Sequence, residues 1–199
     1  MKLGVIMDPI AGINVKKDTT LAMLLAAQSR QWELIYMEMN DLFVDANIAM
    51  ARGRQLSVTD DKNNWYEFGK EETSPLADLD VILMRKDPPF DMEFIYATYI
   101  LELAEIQGAL VVNKPASLRD ANEKFFITHF PQCIAPTLVT RDPDRIKQFI
   151  GTHTEAILKP LDGMGGSSIF RIKQGDPNTN VVIETLTALA TQYIMVQKY

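Results

Sequence analysis

The chain opens KLGVIMDPI, where an apolar run at residues 3–7 stops at Asp8-Pro9. A continuous run without polar alternation predicts a strand buried on both faces. Apolar residues then recur at helical spacing over residues 21–30, with Asp18 or Thr19 as the cap. Residues 32–37 (WELIYM) read as a second strand. Residues 42–72 are weakly patterned, with a strand-like RQLSV and a polar DDKNN. The pattern sharpens at LDVILMRKDPPF, where residues 81–84 form a buried strand that Pro88-Pro89 cannot extend. Asp91 caps a helix over residues 92–107, which Gly108 terminates, and residues 109–113 give a strand halted at Pro115.

Strand, helix, strand, repeated, is the alternation of an α/β fold with an open parallel-sheet, Rossmann-like architecture. Ligands of such sheets sit beyond the carboxyl ends of the strands, here Asp8, Arg85, Lys86 and Asn113. Ser117 is expected to cap a further helix through about Phe130, ended by Pro131 and Pro136. Beyond it the grammar changes. Strands are expected at 137–140, 155–159, 168–173 and 193–199, with helices at 142–152 and 180–190. A boundary between 117 and 124 would divide residues 1–120 from an α+β domain at 121–199. The last strand, YIMVQKY, runs to the end with no turn or cap after it and reads as a cut.

Composition narrows the function. The chain has 199 residues, 47% hydrophobic and 23% charged, as expected for a globular protein with a real core. Its formal net charge of −6 argues against wholesale binding to nucleic acid or anionic membrane. An anionic ligand must therefore be met by locally placed lysines and arginines. Cys133 stands alone, which excludes an intramolecular disulfide or a Cys-based zinc site, and it reads as a packed small hydrophobe. His129 and His153 lack ligand spacing and read as structural or surface residues. The opening apolar run is too short for a signal peptide or a membrane span, so a cytoplasmic location is expected by default.

Candidate chemistry lies at 157–170, ILKPLDGMGGSSIF. A Walker A loop needs its lysine after the glycines, but Lys159 precedes them. The dinucleotide fingerprint needs a third glycine and a following helix, but residue 168 is Ser and the next residues are strand-like. What remains is a glycine flap, a strand–loop–strand hairpin over a nucleotide, against the plainer reading of a flexible hairpin with an exposed lysine. Glycines let backbone N–H groups approach phosphate oxygens, Ser167 and Ser168 add hydroxyl donors, and Lys159 adds charge.

KPLDGMGGSSIF, VILMRKDPPFDMEFIYATYIL, VVNKPASLRDANEKF and KLGVIMDPI together resemble the ATP-grasp superfamily, and more closely its bacterial glutathione synthetase family, over essentially the whole chain. The resemblance implies a pre-ATP-grasp amino-terminal domain that binds substrate, followed by the nucleotide lid of an ATP-grasp domain. It implies an ATP-dependent ligase joining γ-glutamylcysteine to glycine through an acyl phosphate, with Mg2+ neutralising the transferring phosphoryl group. By the same resemblance Lys124 and Lys159 contact phosphates, and Gly163, Gly165, Gly166 and Ser167 form the loop that closes over them. Gln197, Lys198 and Tyr199 fall on the hinge that meets adenine through its backbone, Ile157 and Met195 wall the purine, and Arg85 holds a carboxylate of the dipeptide. The plainer readings are a surface ion pair between Lys124 and Asp120, core positions for Ile157 and Met195, and a charged strand end at Arg85 and Lys86. The family's metal ligands are expected outside this sequence, so the chain is expected to be a fragment that is inactive alone and homo-oligomeric at full length. Other readings are a non-catalytic nucleotide-binding module or another ATP-grasp ligase.

Overall fold

The computed structural model describes every residue except Pro88 and Met164. The Pro88 half of the strand-ending proline pair and the Met164 of the glycine stretch therefore lie outside the described residues. The chain divides into two compact units, Met1–Asp120 and Ala121–Tyr199.

In the first unit the elements are β1 (Lys2–Ile6), α1 (Thr19–Gln28), β2 (Glu33–Met37), β3 (Leu42–Asp45), β4 (Ile48–Val58), β5 (Tyr66–Pro75), β6 (Val81–Met84), α2 (Met92–Ile106), β7 (Leu110–Val112) and α3 (Pro115–Asp120). Strands β2, β1, β6 and β7 are parallel neighbours. Both faces of this half are covered, which explains the unbroken apolar runs. Val5, Leu34 and Tyr36 pack with Leu21 and Leu24 of α1, while Ile6, Ile82 and Val111 pack with Phe94 and Leu101 of α2. The helix starts follow the capping chemistry: Asp18 accepts the Leu21 N–H at 2.7 Å and Asp91 accepts the Phe94 N–H at 2.9 Å. Gly108 follows α2 with a φ of +117°.

The expected open parallel sheet is present as β2-β1-β6-β7, and antiparallel strands extend it into a mixed sheet. Strands β3 and β2 both lie antiparallel to β4 along one of its edges, and β5 is antiparallel along the other. The inward positions of β4 include Ala49, Ala51 and Gly53, too small to mark an amphipathic strand in the sequence. Gly53 is obligatory, since a Cβ there would sit 2.4 Å from Ile35 Cγ2. The helix expected from Ser117 to Phe130 is corrected. It begins at Pro115, which suits a first helical position, and ends at Asp120. Asn122 Oδ1 then accepts the N–H groups of Lys124 (3.1 Å) and Phe125 (2.8 Å), opening a separate 3-10 turn at Phe125–His129.

In the second unit β8 (Thr137–Thr140), α4 (Pro143–His153), β9 (Glu155–Pro160), β10 (Phe170–Lys173), α5 (Thr179–Leu186) and β11 (Ile194–Lys198) form an antiparallel sheet of order β10-β9-β11-β8. Its core lies on one face, where Ala156, Leu158, Ile172, Ile194 and Val196 meet Ile146 and Ile150 of α4 and Ile183 of α5. The last helix stops at Leu186, short of the expected Ala190, because Ala188, Leu189 and Ala190 turn left-handed, with φ of +46°, +56° and +66°. Cys133 is exposed, so it is not the packed residue expected.

Candidate functional site

Alternation along β9 and β11 sorts their residues by face. Leu158 and Val196 point to the helices, so Ile157, Lys159, Met195 and Gln197 share the opposite face. Thr137 and Val139 of β8 join them, opposite Gln197 and Met195 in register. Met195 is fully buried although it lies off the helix-side core, and Ile157 is half-buried.

Strands β9 and β10 are the two sides of the hairpin that carries the glycines, pairing Leu158 with Phe170. Gly163 is required by its neighbour, since a Cβ there would lie 2.7 Å from Pro160 Cγ, in a rigid ring. Gly165 and Gly166 take φ of +64° and +78°, the left-handed region open to glycine. Ser168 also turns left-handed, with φ +57°, and β10 starts only at Phe170, two residues later than expected. Gly165, Gly166, Ser167 and Ser168 are all exposed.

The two lysines converge on this loop. Lys124 Nζ donates to the carbonyl oxygen of Gly163 and pairs with Glu123 Oε1 at 3.0 Å, so its ionic partner is Glu123 and not Asp120. Its position comes from Asn122, whose side chain caps the turn carrying Lys124 and donates Nδ2–H to the Leu161 carbonyl at 3.4 Å. Lys159 Nζ donates to Gln197 Oε1 at 2.6 Å. Burial holds the Lys159 ammonium below the ordinary lysine value, and the nearby Lys124 charge adds to the effect. Two cations that feel each other beside an exposed glycine loop have the chemistry to meet a compact polyanion.

At the far end of β11 the expected hinge residues are already hydrogen-bonded within the chain. The Lys198 N–H donates to the Pro136 carbonyl (2.9 Å) and the Tyr199 N–H to the Glu155 carbonyl (3.2 Å). The Tyr199 ring lies under the Arg171 guanidinium, 3.6 Å from its centroid. A cavity of about 480 Å³ opens on the same sheet face, lined by Phe125, Thr128, Thr137, Val139, Leu161 and Tyr193. Asn122 and Thr137 belong to this site and were not singled out from the sequence. An Asn two residues before a lysine is the one signal that marks the former.

In the first unit Arg85 leaves β6 with its N–H bonded to the Ile6 carbonyl at 2.7 Å. Its Nε donates to Thr20 Oγ1 (3.1 Å) and Nη2 to Thr19 Oγ1 (3.0 Å), which fixes the guanidinium plane against the start of α1. Arg85 lines a cavity of about 230 Å³ together with Asp8, Lys17, Asp18 and Asp87. Lys86 pairs with Asp8 at 2.9 Å, joining the ends of β1 and β6.

Among the described residues, no three His, Cys, Asp or Glu side chains gather to hold a metal ion. The donors present do not fit a metal centre. No helix in the described residues is long and apolar enough to cross a membrane.

Family models match both units of the chain. Residues 1–119 match the prokaryotic glutathione synthetase amino-terminal domain, and residues 123–199 match the ATP-grasp domain of the same family. The chain belongs to the prokaryotic glutathione synthetase family. It is 63% identical to glutathione synthetase of Pseudomonas putida over all 199 residues, covering 63% of that protein. It is 61% identical to glutathione synthetase of Yersinia pestis, again over its whole length and 62% of the relative. The chain thus spans somewhat under two thirds of the relatives it matches. Among solved structures, D-cycloserine synthetase DcsG superposes with a TM-score of 0.65 at 12% identity, over 100% of this chain and 59% of that one. At that identity the likeness is one of fold.

Proposed function

We propose that this sequence supplies the nucleotide grip and a substrate-binding unit of an ATP-dependent carboxylate–amine ligase, glutathione synthetase. A carboxylate oxygen of γ-glutamylcysteine attacks the γ-phosphorus of ATP, the bond to the β,γ-bridging oxygen breaks, and ADP leaves. The amine of glycine then attacks the acyl carbon, loses a proton, and the amide forms as inorganic phosphate departs. Residues 121–199 would serve the nucleotide and residues 1–120 the dipeptide.

The observation that carries this reading is the meeting of Lys124, Lys159 and the glycine loop beside one sheet face. Lys159 and Lys124 would neutralise phosphate oxygens, and the N–H groups of Gly165, Gly166 and Ser167 would bind those nearest the loop. Positive charge fixed before the phosphoryl group moves stabilises the charge that develops on the leaving oxygen. Ile157 and Met195 would flank the purine, with Gln197, Lys198 and Tyr199 along its edge. Arg85, steadied by Thr19 and Thr20, would hold a dipeptide carboxylate through its guanidinium. The reading extends to magnesium, a cytoplasmic setting and a homo-oligomeric full-length protein. No step above runs through the metal, for which the described residues offer no donor set.

Two measurements test it. Titration of this chain with a fluorescent ATP analogue should show binding that Lys159→Ala or Lys124→Ala weakens about tenfold or more, the worth of one charge-assisted hydrogen bond. Unchanged affinity in both variants overturns the phosphate assignment. ADP release from a chain extended to the relatives' full length should require γ-glutamylcysteine and glycine. Turnover with D-alanine instead would overturn the substrate assignment.

A further inference from the structure

We infer that Thr137 and the side chain of Gln197 are positioning residues, a polar relay across three strands that holds the Lys159 ammonium ready for a phosphate. The inference rests on the nucleotide reading above and adds to it two side-chain roles distinct from the backbone hinge role of Gln197. Thr137 Oγ1 donates to the Ala135 carbonyl at 2.7 Å, Gln197 Nε2 donates to Thr137 Oγ1 at 2.9 Å, and Lys159 Nζ donates to Gln197 Oε1 at 2.6 Å. Register sets the geometry, because Gln197 lies directly opposite Thr137 in β8 and diagonal to Lys159 in β9.

Every orientation in this chain of bonds is determined. A carbonyl only accepts, so the Thr137 proton points at Ala135 and its lone pair is left for the amide. An ammonium only donates, so the amide oxygen of Gln197 must face Lys159 and its NH2 must face Thr137. If the threonine hydroxyl is removed, the amide loses one of its two anchors and only the bond from Lys159 orients it.

The residue type matters as much as the geometry. Among the described residues Lys159 has no ionic partner, whereas Lys124 is paired with Glu123. A glutamine orients the ammonium without cancelling its charge. A glutamate in its place would orient it and neutralise it. A lysine side chain loses considerable rotamer freedom when it is ordered, and ordering it beforehand removes that cost from the binding step.

The test uses the whole chain and the variants Thr137→Val, Thr137→Ser, Gln197→Leu and Gln197→Glu. Without nucleotide, the side-chain 15N resonance of Lys159 reports its order and protonation. It should sharpen at low temperature in the parent and Thr137→Ser, broaden in Thr137→Val and Gln197→Leu, and titrate at higher pH in Gln197→Glu. With ATP, Thr137→Val and Gln197→Glu should each lose about three- to tenfold in affinity, the range of one net hydrogen bond, and Thr137→Ser should restore it. Parent-like Lys159 signals and parent-like ATP affinity in Thr137→Val and Gln197→Glu overturn the relay. Loss of folding stability in Thr137→Val with an unmoved Lys159 signal also overturns it, leaving only a structural role. If the parent chain binds no ATP, the functional reading falls, and the Lys159 resonance alone decides the positioning.

Discussion

Lys159 sits in a strand, half-buried, with its ammonium on an amide oxygen and another lysine nearby. Burial is the larger cause of its lowered pKa and Lys124 the smaller. Phosphates bind the ammonium form, so nucleotide binding should draw a proton onto Lys159 wherever it is partly neutral. ATP affinity should therefore fall as pH rises through the lowered value, in a window below the ordinary 10.5. For folding, the depressed value means that the ammonium form is disfavoured in the native state, so this group's contribution to stability rises with pH through the same window. Calorimetric titration in buffers of different ionisation enthalpy measures the proton uptake. Lys159→Arg, whose charge does not titrate there, should remove the pH limb, and persistence of the limb would assign it to another group. Lys159 and the three glycines stood out in the sequence because their spacing excluded two other phosphate loops and left a flap, whereas Lys124 was named only through the family resemblance. Asn122 and Thr137 were not, since a side chain that acts through a neighbour leaves no spacing of its own.

Two of the hairpins among the described residues are of opposite design. Between β3 and β4 the turn is Ala46-Asn47, with both residues left-handed at φ +46° and +65°, so Asp45 pairs with Ile48. This is a type I′ turn, which matches strand twist. Between β9 and β10, residues 161–169 make a connection far longer than pairing demands. The short turn escaped sequence reading because alanine occupies a position where asparagine or glycine would announce it. That alanine is strained: Ala46→Gly should raise stability by about 0.5 kcal/mol, the left-handed penalty less the added freedom of the unfolded chain. Asn47→Val should lower it by about 1–2 kcal/mol. Urea unfolding checks both, and a lowered midpoint for Ala46→Gly would contradict the turn assignment. The parallel strands were readable for the opposite reason. Burial on both faces leaves Val5-Ile6 and Ile82-Leu83 as unbroken apolar text, while β4 hides its inward face behind Ala49, Ala51 and Gly53.

Across the whole molecule, acidic residues exceed basic ones by six. The excess lies in residues 1–120, with 19 acidic against 12 basic residues, whereas residues 121–199, which carry Lys124 and Lys159, have 7 against 8. Two neighbouring lysines suit a compact anion, and a chain of net negative charge has no general attraction for an extended polyanion. Duplex DNA should accordingly show no binding at about 0.15 M salt, since non-specific association needs several phosphate contacts. A mobility shift at micromolar protein would refute this. The α/β class and the glutathione synthetase family could be read from the sequence, through long motifs distributed from KLGVIMDPI to KPLDGMGGSSIF. The mixed character of the first sheet could not, because antiparallel edge strands with polar outer faces resemble loops in their composition.

The alternation in β11 carries a final consequence. Ile194 and Val196 face the helices while Met195 and Gln197 face the other side of the sheet, where the nucleotide is proposed to lie. A one-residue insertion there would trade the two sets, placing an amide in oil and a valine beside the ammonium. Folding and ligand capture would then be lost in a single event, so no drift in this strand's alignment can spare one at the expense of the other.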